Sequence, residues 1–371
     1  MSPSSSRTTR STRRWSAAAL AAVAGPVLSA VVAVGSATGA SADSRSAAAE
    51  RAGDLGTTSA LAPVKLPGQE KARTYSPAEL ERNKRIGGDP AVLAYWTEAR
   101  MKAAKPLDMP GDAKFVDEAA RALVKRLPES AARPAAPTRG RLAQTEAATP
   151  VTNFSITNGK LFIGGYESGS WCSASAVNTT SKRVLITAGH CVHSGRGGTW
   201  RSNIVFVPRY NAFNADRDPV GRFQAYRLRT FNSWINDSNL NRDVGFVTTY
   251  SGGDWGARVV DTVGGHGLAV NGGTEFDTSI FGYPSNRDGG NRMWACWGTA
   301  TDSSWWDDRS KIGCNFGGGS SGGPWLWQYN NSTGQGYVRS VMSTVDGSGV
   351  NRGPYFDTAV RDALNAANGD W

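Results

Sequence analysis

The segment LITAGHC, residues 185–191, ends a run of β-type residues with a histidine and a cysteine. His190 is one of only three histidines in the 371-residue chain. Far downstream, the segment GGGSSGGP, residues 317–324, places Ser321 in a turn dense in glycine. Between the two segments, Asp243 stands directly before the apolar residues VGFV. The chain therefore presents His, Asp and Ser in that order, each beside a predicted strand or tight turn.

These residue types suit nucleophilic catalysis. A serine hydroxyl is a weak nucleophile near neutral pH and needs an adjacent base, usually an imidazole. The imidazole needs an acceptor on its other nitrogen, which fixes the tautomer and stabilises the imidazolium. A glycine-rich turn can aim backbone N–H groups at the oxyanion that develops during attack, because glycine tolerates the required dihedral angles. Each motif alone is more often structural, but the three together favour a hydrolytic site.

The last 221 residues have the sequence pattern of a β protein. From residue 151 onward, short β-type runs alternate with clusters of Gly, Asn, Asp and Ser, which favours a sandwich or a pair of barrels. No helical pattern alternates with these runs, which argues against a parallel α/β sheet. One closing helix is predicted over 359–367, capped by Asp357 or Thr358. The clearest predicted strands are 184–187, 204–208, 244–249, 259–263, 278–283 and 338–342.

The four cysteines all lie in this β region. In an oxidising compartment they predict two disulfides, and the adjacent pairs Cys172–Cys191 and Cys296–Cys314 are the simplest of three connectivities. Each pair closes a loop of about 20 residues, which stabilises the fold by roughly 3 kcal/mol. A zinc site is the alternative, and it is disfavoured because no C-x-x-C spacing is present.

The N-terminus predicts export. Four arginines precede an apolar stretch, residues 15–40, and the sequence ASA at 40–42 matches a signal peptidase site. Residues 1–42 are therefore predicted to be a signal peptide, an uncleaved anchor being the alternative, and the mature protein to be secreted and extracellular. The pair Arg13-Arg14 leaves the choice between the general and the twin-arginine export route open.

Residues 43–150 differ in style from the rest, being rich in Ala, Lys, Arg, Glu and Pro and free of Cys. They predict a mostly helical prosegment that ends in a linker over 131–150. The predicted helices begin after Ser76, where a capping box is present, and cover 91–104 and 113–127. The linker is the expected cleavage zone.

Charge and composition exclude several classes of protein. Hydrophobic residues make up 39% and charged residues 19% of the chain, which excludes a disordered or coiled-coil protein. The net charge of +10 divides into +4 for residues 1–42, +4 for 43–150 and only +2 for 151–371. The β region therefore has no basic surface of the kind that nucleic acids need.

The motifs TAGHC (187–191) and GSSGGP (319–324) resemble those of the chymotrypsin-like, or trypsin-fold, serine peptidases, particularly bacterial secreted members made with a prosegment. The resemblance covers about residues 151–371. It implies an all-β domain of two six-stranded antiparallel β-barrels, split near residue 265, with the site in the cleft between them.

The resemblance also implies the site residues. His190 would be the general base, Asp243 its orienting carboxylate and Ser321 the nucleophile, with the N–H groups of Gly319 and Ser321 forming the oxyanion hole. The implied activity is that of a serine endopeptidase that hydrolyses protein or peptide substrates through an acyl-enzyme. No metal and no organic cofactor are implied. In this family the bridge matching Cys172–Cys191 anchors the loop that holds the histidine.

Substrate contacts are expected from Ser343, Thr344 and Asn315, and the side-chain preference stays open. Animal members carry an Asp just before the nucleophile, where this chain has Ser320, so their activation switch is not expected here. Instead, the prosegment is expected to act as a transient inhibitor or folding aid. We expect a monomer that binds neither nucleic acid nor, after signal cleavage, a membrane. His193 and His266 are expected at the surface.

Two other functions are compatible with the sequence. One is a non-catalytic binding protein on the same scaffold. The other is a binder of wall polymers or carbohydrates, which would need exposed aromatic side chains rather than core ones. Exposure of Trp305 and Trp306 would favour the second. The tryptophans in question are Trp294, Trp297, Trp305, Trp306, Trp325 and Trp327.

Overall fold

The computed structural model describes residues 56–108, 110, 129–137, 151–165, 169–304 and 307–371, and these residues are mostly β. The helices are α1 (Pro77–Ile86), α2 (Pro90–Tyr95), α3 (Glu98–Ala103), α4 (Asn232–Asp237), α5 (Val259–Val263) and α6 (Thr358–Asn368). The strands are β1 (Thr57–Leu61), β2 (Lys105–Pro106), β3 (Ser130–Ala132), β4 (Asn158–Gly164), β5 (Ser170–Ala176), β6 (Val184–Thr187), β7 (Ser202–Pro208), β8 (Phe223–Phe231), β9 (Gly245–Thr249), β10 (Gly267–Val270), β11 (Phe276–Gly282), β12 (Trp294–Ser304), β13 (Asp307–Ile312), β14 (Pro324–Asn330), β15 (Gln335–Val341), β16 (Thr344–Val345) and β17 (Asn351–Gly353).

Six strands close into the first barrel. They pair antiparallel in the order β8-β7-β4-β5-β6-β9, and β9 pairs back to β8. Alternate residues of β4 face two different cores: Leu161 and Ile163 belong to the hydrophobic cluster of the barrel strands, whereas Phe162 belongs to a cluster shared with the second sheet. Both faces of this strand are buried, as the two-residue period of a strand between two packed layers requires.

The second sheet runs in the order β16-β17-β13-β12-β11-β14-β15-β10-β3. Its pairs are antiparallel except that of β10 with β15, which is parallel. This fold agrees with the predicted class, a mostly β double-barrel architecture with a C-terminal helix. The parallel pair departs from the expectation of a purely antiparallel second barrel.

The helix predictions had mixed outcomes. The capping box at Ser76 is present, with Glu79 as its partner, and Asp357 caps α6. The single helix predicted over 91–104 is wrong, because α2 and α3 are separated at Trp96 and Thr97. Trp96 leaves helical geometry and is fully buried, its indole N–H donating to the Asn203 carbonyl at 2.7 Å. Burial of the Trp96 indole with its hydrogen bond is thus favoured over a continuous helix at this position.

The strand predicted over 259–263 is also wrong, because these residues form the short helix α5. Its apolar, β-branched composition is typical of a strand, but both types of element can bury a run of this length. The helix ends at Gly264, whose φ is +75°. The other predicted strands overlap observed ones, with β6 at the predicted bounds.

Residues of the predicted prosegment add strands to both sheets. β1 pairs antiparallel with β8, and β3 pairs antiparallel with β10. β2 pairs in parallel with β5. Since β3 lies at the start of the predicted linker, that part of residues 131–150 is paired with the peptidase-like region. Where it is described, the prosegment therefore contains three short strands besides the three helices α1–α3, and more of its residues are in helices than in strands.

Both predicted disulfides, Cys172–Cys191 and Cys296–Cys314, are present. Within the described ranges, no helix is both long and apolar enough to cross a membrane. The predicted signal peptide, the helix predicted over 113–127 and the pair Trp305-Trp306 lie outside the described residues. Of the remaining tryptophans in the aromatic group, Trp325 is fully buried and Trp297 is 48% exposed.

Candidate active site

His190 lies just beyond β6, in a short 3-10 turn over Gly189–Cys191. The disulfide Cys172–Cys191 ties this turn to β5 in the barrel wall. Thr187 at the end of β6 donates its hydroxyl hydrogen to the Ser173 carbonyl at 2.8 Å, which fixes the start of the turn on the same strand. The imidazole is buried, with only 3% of the residue exposed. The histidine is therefore held by the barrel and not by a free loop.

Asp243 is fully buried and faces His190 with both carboxylate oxygens. Oδ1 accepts a hydrogen bond from the His190 backbone N–H at 2.8 Å. Oδ2 lies 2.8 Å from His190 Nδ1 and accepts the Ser343 hydroxyl hydrogen at 2.6 Å. A carboxylate only accepts hydrogen bonds, so Nδ1 carries a proton and Nε2 is the acceptor of the neutral ring. The arrangement orients Nε2 away from Asp243.

Ser321 sits in the glycine-rich turn before β14, against the histidine-bearing segment. Its carbonyl accepts a hydrogen bond from the Ser173 N–H at 2.7 Å. The next residue, Gly322, has a φ of +77°, and a Cβ there would overlap the Thr187 hydroxyl. Glycine at this position therefore lets the turn approach the end of β6, three residues before His190.

The structure does not join Ser321 to His190 by a hydrogen bond. Among the described residues, neither Ser321 Oγ nor His190 Nε2 has a hydrogen-bond partner, although both atoms are buried. Buried polar atoms without partners are uncommon, and they occur at catalytic positions. The neighbouring hydroxyl of Ser320 is different, because it donates to the Gly317 carbonyl at 2.7 Å.

Gly319 has a φ of +85° and lies against the indole of Trp171. A Cβ at this position would overlap the indole nitrogen, so only glycine fits between the turn and β5. The Gly319 N–H donates to the Leu107 carbonyl at 3.2 Å. A residue of the predicted prosegment therefore contacts the predicted oxyanion hole, which no signal in the sequence indicated.

The predicted substrate-binding residues lie in three different environments. Ser343 is fully buried, and its hydroxyl donates to Asp243 as described above. Thr344 is also buried, and its hydroxyl accepts a hydrogen bond from Arg309 at 3.0 Å. Asn315 is exposed with a φ of +49°. A substrate contact for any of them stays a prediction.

An ion pair that the sequence did not reveal joins the buried Arg309, which also contacts Thr344, to the partly buried Asp307. Arg309 donates from Nε to one oxygen of Asp307 and from Nη2 to the other, each at 2.8 Å. The hydrogen bonds and charge of Arg309 outweigh burial and hold the pKa of the Asp307 carboxyl below its usual range. Charge patterning in the sequence did not indicate this pair.

The expectation that His193 and His266 lie at the surface is wrong. His193 is 5% exposed and His266 is fully buried. His266 Nε2 lies 2.8 Å from Asn158 Oδ1, while Nδ1 accepts the Gly336 N–H at 3.3 Å. Burial lowers the pKa of His266 to about 3. Both rings are structural, and the glycines around His266 gave a misleading signal of an exposed loop.

Lys160 on β4 is another buried titratable group that the sequence did not single out. Its Nζ donates to the Gly290 carbonyl at 2.8 Å and lies 4.0 Å from the centre of the Trp171 ring. Tyr210 supplies a second ring face at 5.0 Å. Burial lowers the pKa of Lys160 to about 7. A lone lysine in a strand normally points to solvent, so only the fold reveals this position.

The one described cluster of metal-type ligands is formed by Cys172, His190 and Cys191, whose ligand atoms lie within 4.8 Å of one another. Both sulfurs are in a disulfide and offer no thiolate. Since zinc binds cysteine as the thiolate, these residues do not fit a zinc site.

The chain is similar to two solved proteases. A thermostable serine protease, AL20, from an extremophilic microorganism is 30% identical, with a TM-score of 0.53, over 58% of this chain and 99% of that protein. The protease Anisep from Arthrobacter nicotinovorans is 31% identical, also with a TM-score of 0.53, over 59% of this chain and 99% of that protein. No family model and no curated protein matches the chain.

The barrel, the second sheet and this similarity together define the class of protein. The chain belongs to the chymotrypsin-like serine peptidases. Its structural neighbours are proteases, which supports hydrolysis of peptide bonds as its general activity.

Proposed function

We propose that the protein is a secreted serine endopeptidase that cleaves peptide bonds through an acyl-enzyme on Ser321. The observation that carries the proposal is the contact of the Asp243 carboxylate with His190, whose Nδ1 lies 2.8 Å from Asp243 Oδ2. The other ring nitrogen, Nε2, is buried and has no hydrogen-bond partner among the described residues. Ser321 Oγ is also buried and has no hydrogen-bond partner among the described residues. A hydrogen bond between these two atoms would satisfy both.

The chemistry follows from these roles. His190 takes the Ser321 proton as Oγ attacks the substrate carbonyl, and Asp243 stabilises the imidazolium that results. The N–H groups of Gly319 and Ser321 stabilise the oxyanion. The imidazolium then returns the proton to the leaving amine, and water repeats the cycle to release the acyl group. No metal or organic cofactor takes part in these steps.

Two features support secretion and processing as part of the proposal. Two disulfides fit an oxidising compartment, in line with the predicted signal peptide over residues 1–42. Residues of the predicted prosegment supply edge strands to both sheets, which suits a folding aid or transient inhibitor that is later removed. We propose protein or peptide substrates and a monomeric mature enzyme.

Casein hydrolysis by the secreted wild type and two serine variants tests the proposal. Ser321→Ala is expected to lose hydrolysis. Ser320→Ala is the matched control, because it removes the adjacent buried hydroxyl, which already has a partner in Gly317. It is expected to retain most of the activity. Equal loss in both variants, or no hydrolysis by a wild type freed of its prosegment, would contradict the proposal and favour a non-catalytic binding protein.

A further inference from the structure

The strand β2 lies in extended form between β5 and the glycine-rich turn. Lys105 N–H donates to the Gly169 carbonyl at 3.1 Å, and Leu107 N–H donates to the Trp171 carbonyl at 3.0 Å. Pro106, between them, has no N–H, and in this parallel ladder its nitrogen faces away from β5. The sequence Lys-Pro-Leu thus matches the donors that this edge can pair.

The far side of the segment is closed by the turn. The Gly319 N–H donates to the Leu107 carbonyl at 3.2 Å. A Cβ on Gly318 would stand 3.2 Å from the same carbonyl oxygen and 3.5 Å from Pro106 Cβ. Leu107 is only 9% exposed and belongs to the hydrophobic cluster that includes the Cys172–Cys191 disulfide. Backbone and side chain are therefore both engaged.

We infer that residues 105–107 occupy a peptide-binding subsite formed by Gly169–Trp171 and the turn at 317–319, and that they inhibit the peptidase from there by taking the Gly319 N–H. The inference rests on the proposed function, in which this N–H stabilises the oxyanion. A single N–H aimed at the Leu107 carbonyl is not available to a substrate carbonyl at the same time. The ligand class of the subsite is an extended peptide of Pro-Leu type.

A consequence is that a cut in the linker does not by itself activate the enzyme. The inhibitory residues precede the linker by more than 20 positions, and several contacts hold them without it. β1 pairs with β8 over five residues, and the buried Trp96 donates to Asn203. Arg222 donates to the Trp96 carbonyl at 2.7 Å. Activity therefore appears only when the severed prosegment leaves or is degraded.

The test uses the full chain with a recognition sequence for a site-specific protease placed within residues 138–150. After complete cutting, the labelling rate of the nicked protein by a fluorophosphonate is measured.

Leu107→Asp is expected to label about 30-fold faster than the unsubstituted nicked protein, since a buried leucine contact is lost. Leu93→Asp is the matched control: Leu93 is a half-buried leucine of the same prosegment on a different cluster. It is expected to label as slowly as the unsubstituted protein. Leu107→Ala, a milder change, should act in the same direction, which keeps the test decisive if the Asp variant is not secreted.

The outcomes separate the inference from the proposed function. Equal, rapid labelling of all nicked proteins would overturn the inference and leave the proposed function intact. Equal acceleration by the Leu93 and Leu107 variants would show that general docking, not the Leu107 contact, inhibits. Mass spectrometry that finds cleavage after Leu107 would make the segment a substrate and also overturn the inference. If no nicked variant labels and the protein freed of its prosegment does not label either, Ser321 is not a reactive nucleophile and the proposed function fails with it. If the freed protein labels but no nicked variant does, the Leu107 contact is not what inhibits, and only the inference is overturned.

Discussion

The hydroxyl of Ser343 donates a 2.6 Å hydrogen bond to Oδ2 of Asp243, the oxygen that also faces His190 Nδ1. All three groups are buried, so water does not compete for this carboxylate. The sequence suggested Ser343 as a substrate contact. Its hydroxyl also indicates a role in holding the orienting carboxylate, and the substrate contact stays a prediction.

Removal of the Ser343 hydroxyl is expected to lower kcat. A hydrogen bond to a charged group contributes roughly 1.5–3 kcal/mol, so Ser343→Ala should reduce kcat about 10- to 100-fold with a smaller change in KM. Steady-state kinetics on a peptide substrate measures both. Ser340→Ala is the control, because its buried hydroxyl donates to the Pro354 carbonyl and not to Asp243. A loss confined to KM would argue for substrate contact instead.

Replacement of the carboxylate itself should have a larger effect. Asp243→Asn keeps the size of the side chain but turns an N–H toward His190 or forces the other tautomer. We expect kcat to fall about 10⁴-fold, as expected for a triad that loses its carboxylate. The variant should still fold, and its far-ultraviolet circular dichroism spectrum checks this. Activity within about tenfold of the wild type would rule out Asp243 as the orienting group.

Lys160 predicts a pH-dependent stability. Burial lowers its pKa from 10.5 to about 7 in the folded protein. Between these values the unfolded chain binds one more proton, so the free energy of unfolding gains up to about 1.4 kcal/mol per pH unit as pH rises. Lys160→Met removes this slope. The free energy of unfolding is measured with urea from pH 7 to pH 10 for the Met variant and its Lys parent, both in a Ser321→Ala background that prevents autolysis. The Met variant should be the more stable protein at pH 7, and this difference should shrink as pH rises. A benefit independent of pH would contradict the assignment.

The burial of His266 predicts that stability depends on pH in the acid range. Its pKa falls from 6.5 to about 3 on folding, so below pH 6.5 the unfolded chain binds the extra proton and stability is lost until pH 3. His266→Gln can keep both hydrogen bonds, donating to Asn158 and accepting from Gly336, without titrating. In the same Ser321→Ala background, the variant should lose less stability than its parent between pH 6.5 and pH 4. Parallel acid-unfolding curves would show that His266 does not contribute.

The fold was predictable where local pattern and environment agree. β6 has the predicted bounds because its apolar run stops at a Thr-Ala-Gly turn, and Asp357 caps α6 as its side chain suggests. The helix over 259–263 was not predictable, since β-branched residues in a five-residue run suit a buried strand equally well. Trp96 breaks its helix only because the core contains an acceptor for its indole, and that acceptor is more than 100 residues away.

The candidate site divides in the same way. His190 and Asp243 stood out because their motifs have fixed spacing and flanking residues, and the structure brings these two together. The contacts of Ser343 and Leu107 depend on segments that meet only after folding, so no local pattern announces them. The burial of Lys160 is of the same kind, because its aromatic neighbours come from distant strands and loops.

The central claim is that Ser321 is the nucleophile. The most direct measurement treats the secreted enzyme, freed of its prosegment, with a fluorophosphonate and locates the adduct by tandem mass spectrometry. The account predicts one phosphonylated residue, Ser321, with labelling abolished in Ser321→Ala and retained in Ser320→Ala. An adduct on Ser320, or an enzyme that hydrolyses casein with no adduct on Ser321, would contradict it.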